Sequence, residues 1–161
     1  MATTIAIDLG GTNVRAARIK DCTIEQKAAV NCNANGTKQE IINQLFDLVD
    51  KLITPQVESI GIGVPSVVDY EKGIVYDVQH IPSWDIVPLK ELMEARFRVR
   101  TAVDNDVNCY VLGEKSLGAG RPYNNIVGIT LGTGVGAGIL IDGKVYRGAN
   151  LVSQAMNLII S

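Results

Sequence analysis

Ile5-Ala-Ile-Asp-Leu-Gly-Gly-Thr-Asn-Val-Arg15 decides how the chain is read. An apolar run ends in Asp8, two glycines and a hydroxyl follow, and Val14 restarts an apolar pattern, which is a strand, a tight turn and a second strand. Gly10 and Gly11 remove side chains where a backbone must approach something closely. Such a turn can aim N–H groups, together with the Thr12 hydroxyl, at an anion such as a phosphate. Asp8 cannot ligate a phosphate, because like charges repel, but it suits a holder of a phosphate-bound Mg²⁺ that keeps several of its waters. A plain Gly-Gly hairpin with a solvated Asp fits the same stretch.

Outward from this turn, the chain has the composition of a soluble globular protein: 161 residues, 47% hydrophobic and 20% charged. Its net charge of −2 gives no polyanion-binding footprint, so no nucleic-acid partner is expected. No apolar run approaches a membrane span, and the N-terminus lacks the basic region and apolar core of a signal peptide. Cys22, Cys32 and Cys109 are an odd number without CxxC spacing, which points to reduced thiols and a cytoplasmic location.

Downstream, the pattern predicts a meander of three strands, Thr4–Asp8, about Val14–Lys20 and about Thr23–Asn31, with Asp21-Cys22 at a turn. Thr37 and Glu40 form a capping-box pair ahead of a helix whose apolar stripe runs Ile41, Leu45, Leu48, Leu52. Pro55 closes it. Ile60–Val64 is a strand carrying Gly61 and Gly63 and running into Pro65-Ser66. Asp69 to Gly73 reads as a turn and Gly73 to Tyr76 as a short return strand. His80-Ile-Pro-Ser-Trp-Asp85 is a loop: Trp84 is expected to anchor it in the core, with a ligand-pocket wall as the other reading. His80, the single histidine, suits a structural hydrogen bond better than catalysis. Pro88 opens a helix that buries Leu89, Leu92, Met93 and Phe97.

Val99–Val103 is the next strand, and it enters Asp104-Asn105-Asp106 ahead of a helix reaching about Leu117. In open α/β sheets, ligands gather at the carboxyl ends of strands. The same cluster could be an N-cap without chemistry. One of the two acids is expected to cap the helix and the other to face a cleft. Arg121 to Asn125 reads as a boundary between units 1–120 and 121–161. After it come a strand, Ile126–Leu131, a second glycine-rich turn, Gly132 to Gly138, a strand over Ile139–Ile141, and an Asp142-Gly143 hairpin with Lys144 to Arg147 pairing back. Two glycine turns facing each other could clamp a polyphosphate.

Asp8-Leu-Gly-Gly-Thr-Asn-Val-Arg15, Gly61-Ile-Gly-Val-Pro65, Pro82-Ser-Trp84, Val87-Pro-Leu-Lys90, Asn105-Asp-Val-Asn108 and Leu131-Gly-Thr-Gly-Val-Gly-Ala-Gly138 together resemble the ROK family over almost the whole chain. That family comprises bacterial glucokinases, related hexose and acetylhexosamine kinases, and repressors. The resemblance implies an α/β, actin-like ATPase fold of two ribonuclease-H-like lobes, the first of which carries a mixed sheet and fills residues 1–120. It also implies an ATP-dependent sugar kinase of carbohydrate metabolism, with ATP and Mg²⁺ as cofactors, a sugar substrate and a homo-oligomeric state. Carried over by motif, Gly10, Gly11 and Thr12, next to Asp8, would form the first phosphate loop. Gly132, Thr133, Gly134 and Gly136 would form the second. Asn105 would bind sugar hydroxyls and Asp106 would be the general base. Pro65, Ser66, Gln154 and Asn157 would also line the sugar.

The chain departs from the family pattern at several of these positions. Ser66 stands where Gly usually follows the proline, and His80 where Asn often precedes the Pro-x-Trp loop. Gly148-Ala-Asn-Leu-Val-Ser-Gln-Ala-Met-Asn157 replaces a pattern in which Gln154 would be a sugar-binding Glu and Asn157 a His. Family members are longer and carry a later cysteine-rich zinc motif. A fragment or a truncated relative is therefore expected, and these 161 residues alone should be a poor kinase. The rival reading is the sugar-sensing module of a ROK repressor. Such a repressor would carry an N-terminal helix-turn-helix, which the start of strand one at about Ile5 disfavours.

Overall fold

The computed structural model describes residues 2–78, 80–131 and 135–147. Its contacts divide the chain into two compact units, residues 1–104 and 105–161. In the first, β1 (Thr3–Leu9), β2 (Asn13–Lys20) and β3 (Thr23–Asn31) form the expected antiparallel meander. Asp21 and Cys22 take left-handed backbone angles, φ 50° and 62°, in the two-residue turn that joins β2 to β3. α1 (Lys38–Asp50) follows, then β4 (Val57–Val64), which pairs parallel with β1. β5 (Val67–Asp69), β6 (Ile74–Tyr76) and β7 (Ile86–Val87) make a small antiparallel sheet. α2 (Leu89–Phe97) leads into β8 (Arg100–Asn105), which lies beside β4 and completes a mixed five-stranded sheet of order β3-β2-β1-β4-β8.

Alternation builds the core of this unit. Thr3, Ile5, Ile7 and Leu9 point to one face of β1, and Ile60 and Ile62 of β4 lie in register with Ile5 and Ile7. The α1 stripe, Ile41, Leu45, Leu48 and Val49, packs in the same cluster, with Leu89 and Met93 of α2. α1 starts as the sequence predicts: the Thr37 hydroxyl accepts from the Glu40 N–H at 3.3 Å, and the Glu40 carboxylate accepts from the Thr37 N–H at 2.7 Å. That N–H and the Thr37 hydroxyl, which donates to the same carboxylate at 3.0 Å, hold the Glu40 carboxyl below the usual glutamate range. A depressed folded-state pKa stabilises above the unfolded value, and that stabilisation is lost as pH falls through the folded one. Thr37→Ala is expected to cost about 1 kcal/mol by chemical denaturation, with part of the acid-side pH dependence disappearing in Glu40→Gln.

The second unit is α3 (Asp106–Leu117) packed on a three-stranded antiparallel sheet of β9 (Ile126–Leu131), β10 (Val135–Ile141) and β11 (Lys144–Val145). The contacts thus divide the chain earlier than the 120/121 boundary expected from the sequence, because α3 is joined to the strands that follow it.

One reading is corrected. The second glycine stretch is not a turn as far as Gly138: β10 already begins at Val135, with Gly136 opposite Thr130 and Gly138 opposite Gly128. After the Asp142-Gly143 turn, Lys144 and Val145 pair with Ile141 and Leu140, and the Tyr146 N–H donates to the Ile139 carbonyl at 2.8 Å.

Helix packing explains these strand glycines. A Cβ on Gly128 would collide with Val111 Cγ2, and one on Gly138 would lie 2.8 Å from that atom and 3.0 Å from the Val107 carbonyl oxygen. A Cβ on Gly136 would lie 2.6 Å from Val107 Cγ2. The glycines let α3 sit directly on the sheet. Gly128→Ala is therefore expected to destabilise by about 1–3 kcal/mol through overpacking. Val111→Ala should relieve part of that, so the double variant should cost less than the sum of the single ones. Additive costs in urea denaturation would show that the helix does not press on Gly128.

Candidate active site

Within the first unit, β1 and β4 run parallel, so Asp8, in register with Gly63, and the Gly10–Thr12 turn share the end of the sheet at which β4 enters Pro65-Ser66. Asp8 is exposed and lies opposite Arg15 of β2. The turn closes on itself: the Gly10 N–H donates to the Asn13 carbonyl at 3.0 Å, and the Thr12 carbonyl accepts from the Cys32 N–H at 2.9 Å. Gly10 is therefore spent on the geometry of the turn. The donors it can offer an anion are the Gly11 and Thr12 amides and the exposed Thr12 hydroxyl.

Gly11 meets His80. A Cβ on Gly11 would collide with His80 Cβ and lie 3.1 Å from its Cγ. His80 is exposed, but its loop is tied down: Asp77 N–H donates to Asp85 O, Val78 N–H to Trp84 O, and Trp84 N–H to Ile81 O, all at 2.9–3.1 Å. Val78, Ile81 and Trp84 are buried, so Trp84 is a core anchor, as expected. Sequence reasoning gave His80 no part in the first glycine turn. The paired glycines signalled a close approach, but nothing local in the sequence shows that the neighbour arrives from sixty-nine positions away.

Ser66, where the family pattern has glycine, is 7% exposed, and its hydroxyl donates to the Tyr76 carbonyl of β6. The extra side chain is thus folded into the small sheet, and Pro65 beside it is half-buried. Cys32 lies between the meander and α1, and burial pushes the pKa of its thiol up.

At the end of β8, Asp104 is buried. The cap of α3 is neither acid, contrary to the expectation that one of them would take that place. Asn105 is the N-cap, its Oδ1 accepting from the Val107 N–H at 2.9 Å and the Asn108 N–H at 3.3 Å. Asn and Asp cap almost equally well, so composition alone could not choose among the three residues. Asp106 is the first residue of the helix, half-buried, with Oδ1 accepting from the Val107 N–H at 2.9 Å. The positive end of the helix dipole favours its ionised, proton-accepting form. Capping uses the carbonyl oxygen of the Asn105 side chain.

Gly136 lies in β10 against α3, whereas Gly132, Thr133, Gly134, Gln154 and Asn157 lie outside the described residues. Among the described residues, no cluster of three or more His, Cys, Asp or Glu could hold a metal ion, and no helix is long and apolar enough to cross a membrane.

Known proteins share this arrangement. The sequence model of the ROK family matches residues 4–156. The chain is 31% identical over 158 residues to a glucokinase of Thermotoga maritima, covering 97% of this chain and 50% of that one. It is 34% identical over 125 residues to a xylose repressor of Caldicellulosiruptor bescii, covering 74% of this chain and 31% of the repressor. Among solved structures, a ROK family glucokinase from Streptomyces griseus in complex with glucose and AMPPNP superimposes with a TM-score of 0.82 at 33% identity, over 91% of this chain and 47% of that one. The chain thus spans about half the length, or less, of the curated relatives it matches. With a family match over nearly its whole length, and with the mixed α/β architecture of ROK sugar kinases and their actin-like ATPase fold, the chain belongs to the ROK family.

Proposed function

We propose that this chain carries the base and the first phosphate turn of a cytoplasmic, homo-oligomeric ATP-dependent kinase that phosphorylates a hydroxyl of a hexose or amino sugar. The observation that carries the proposal is the start of α3: the Asp106 carboxylate lies in the first turn of the helix and accepts from the Val107 N–H, directly after the N-cap Asn105. A sugar hydroxyl needs positioning and a nearby proton acceptor. In this reading Asn105 orients the hydroxyl and Asp106 takes its proton. Pro65 shapes the sugar side. Ser66 contributes through its backbone, its hydroxyl being directed at Tyr76. Gln154 and Asn157 complete the sugar contacts, and units 1–120 and 121–161 correspond to a first lobe and the start of a second.

The nucleotide would lie against the Gly11 and Thr12 amides and the Thr12 hydroxyl, with Gly10 shaping that turn, and with Gly132, Thr133, Gly134 and Gly136 supplying the second glycine stretch. The donor set fits a polyphosphate: a turn of N–H and O–H donors beside a single exposed carboxylate, Asp8. Mg²⁺ bound to the nucleotide supplies charge neutralisation of the transferring phosphoryl group, and Asp8 would hold the waters of that ion. The similarity to the T. maritima glucokinase and to the S. griseus enzyme crystallised with glucose and AMPPNP supports this reading. Calorimetry with AMPPNP and magnesium tests it: saturable binding is expected, and its absence at millimolar nucleotide would overturn the proposal.

The similarity to a xylose repressor favours a second reading, a sugar-sensing module of a transcriptional regulator. That reading expects sugar binding without nucleotide turnover.

A further inference from the structure

The loop that follows β6 places one polar side chain on the first glycine turn and anchors both of its flanks. Val78, Ile81 and Trp84 are 3%, 0% and 1% exposed, whereas His80 between them is exposed. The loop is closed by the Asp77–Asp85 and Val78–Trp84 backbone bonds and by Ile81 N–H donating to Val78 O at 2.9 Å. His80 Cβ occupies the space where a Gly11 side chain would begin, and its Cγ and Cδ2 lie 3.1 and 3.5 Å from that point. The imidazole therefore stands on the residue whose amide is one of the few donors left to the turn, the Gly10 N–H being spent on Asn13. An imidazole donates through one ring N–H when neutral and through two when charged. A phosphate seated on this turn would meet it as an added donor that no neighbouring backbone supplies.

We infer that His80 is a ligand-contacting residue of the first glycine turn, donating to a phosphate of the bound nucleotide and adding affinity for it. The inference rests on the kinase reading and deepens it. The side chain is aimed by buried neighbours on both flanks, so little freedom is lost when it engages the anion. Gly11 is required because any side chain there would displace His80 from the turn.

The ring resonances that disappear in His80→Ala are those of His80, which makes the test direct. AMPPNP with magnesium is titrated into the unaltered protein, followed by calorimetry and by proton NMR of the ring. His80→Ala is expected to weaken binding by about 10- to 100-fold, the range for a hydrogen bond to a charged group. His80→Gln, which keeps an N–H donor, is expected to recover most of that loss. The ring signals of the unaltered protein should shift saturably, with the dissociation constant that calorimetry gives. Equal affinity in the alanine variant, equal losses in both variants, or ring signals that do not move would each overturn the inference and leave the kinase reading standing. Absence of any AMPPNP binding by the unaltered protein would overturn both.

Discussion

Asp106→Asn is expected to lower the sugar-dependent turnover of the protein by about 10²–10⁴-fold, the usual contribution of a positioned general base. The fold should be almost unaffected. Asp106 Oδ1 accepts from the Val107 N–H, and an asparagine offers an oxygen in the same place. Its neighbour Asn105 carries the N-cap and is unaltered. What the substitution removes is the ability to take a proton and the negative charge on the first turn of α3. The loss should appear in kcat, with the affinities for sugar and AMPPNP within a few-fold of the parent protein. Steady-state kinetics and calorimetry on the same preparations separate the two. Turnover retained in Asp106→Asn would move the base elsewhere, to Asp104 first.

Trp84→Ala should produce the largest loss of stability in the first unit, about 3–5 kcal/mol. Trp84 is among the largest fully buried side chains, at 1% exposure, and it shares a cluster with Ile81, Val87 and Leu89. It also fastens the loop that carries His80, since its N–H and carbonyl bond to Ile81 and Val78. Its Nε1 has no hydrogen-bond partner among the described residues. Trp84→Phe should therefore cost much less than the alanine variant, since it keeps most of the ring volume and loses a group whose burial is unfavourable. Urea denaturation followed by circular dichroism reads both. A phenylalanine variant as unstable as the alanine one would show that the indole N–H, and not the ring volume, holds the loop.

Where the signal is local, the sequence carried the structure. The meander, the Thr37–Glu40 cap, the strand over Ile60–Val64 and the hairpin at Asp142-Gly143 all follow from alternation, capping chemistry or turn residues a few positions apart. What the sequence did not reveal depends on distant partners. Gly136 and Gly138 read as part of a phosphate turn because glycine runs mark turns and close approaches alike, and only the position of Val107 and Val111 shows that a helix is what approaches. The cap of α3 fell among three residues of similar capping strength, and the backbone at Asn105, φ −61° and ψ 141°, decides it. His80 reached Gly11 through the fold of a loop anchored by side chains on both of its flanks. The Ser66 hydroxyl found its acceptor in a strand ten residues away.

The kinase reading is tested most directly by coupled ADP release from the protein, assayed with ATP and magnesium across a panel of hexoses and acetylhexosamines. The account predicts ADP release that depends on one sugar or a few and is matched by formation of the sugar phosphate. A protein that binds a sugar, as seen by a thermal shift, yet releases no ADP with any member of the panel would contradict it and identify the chain as a sensor.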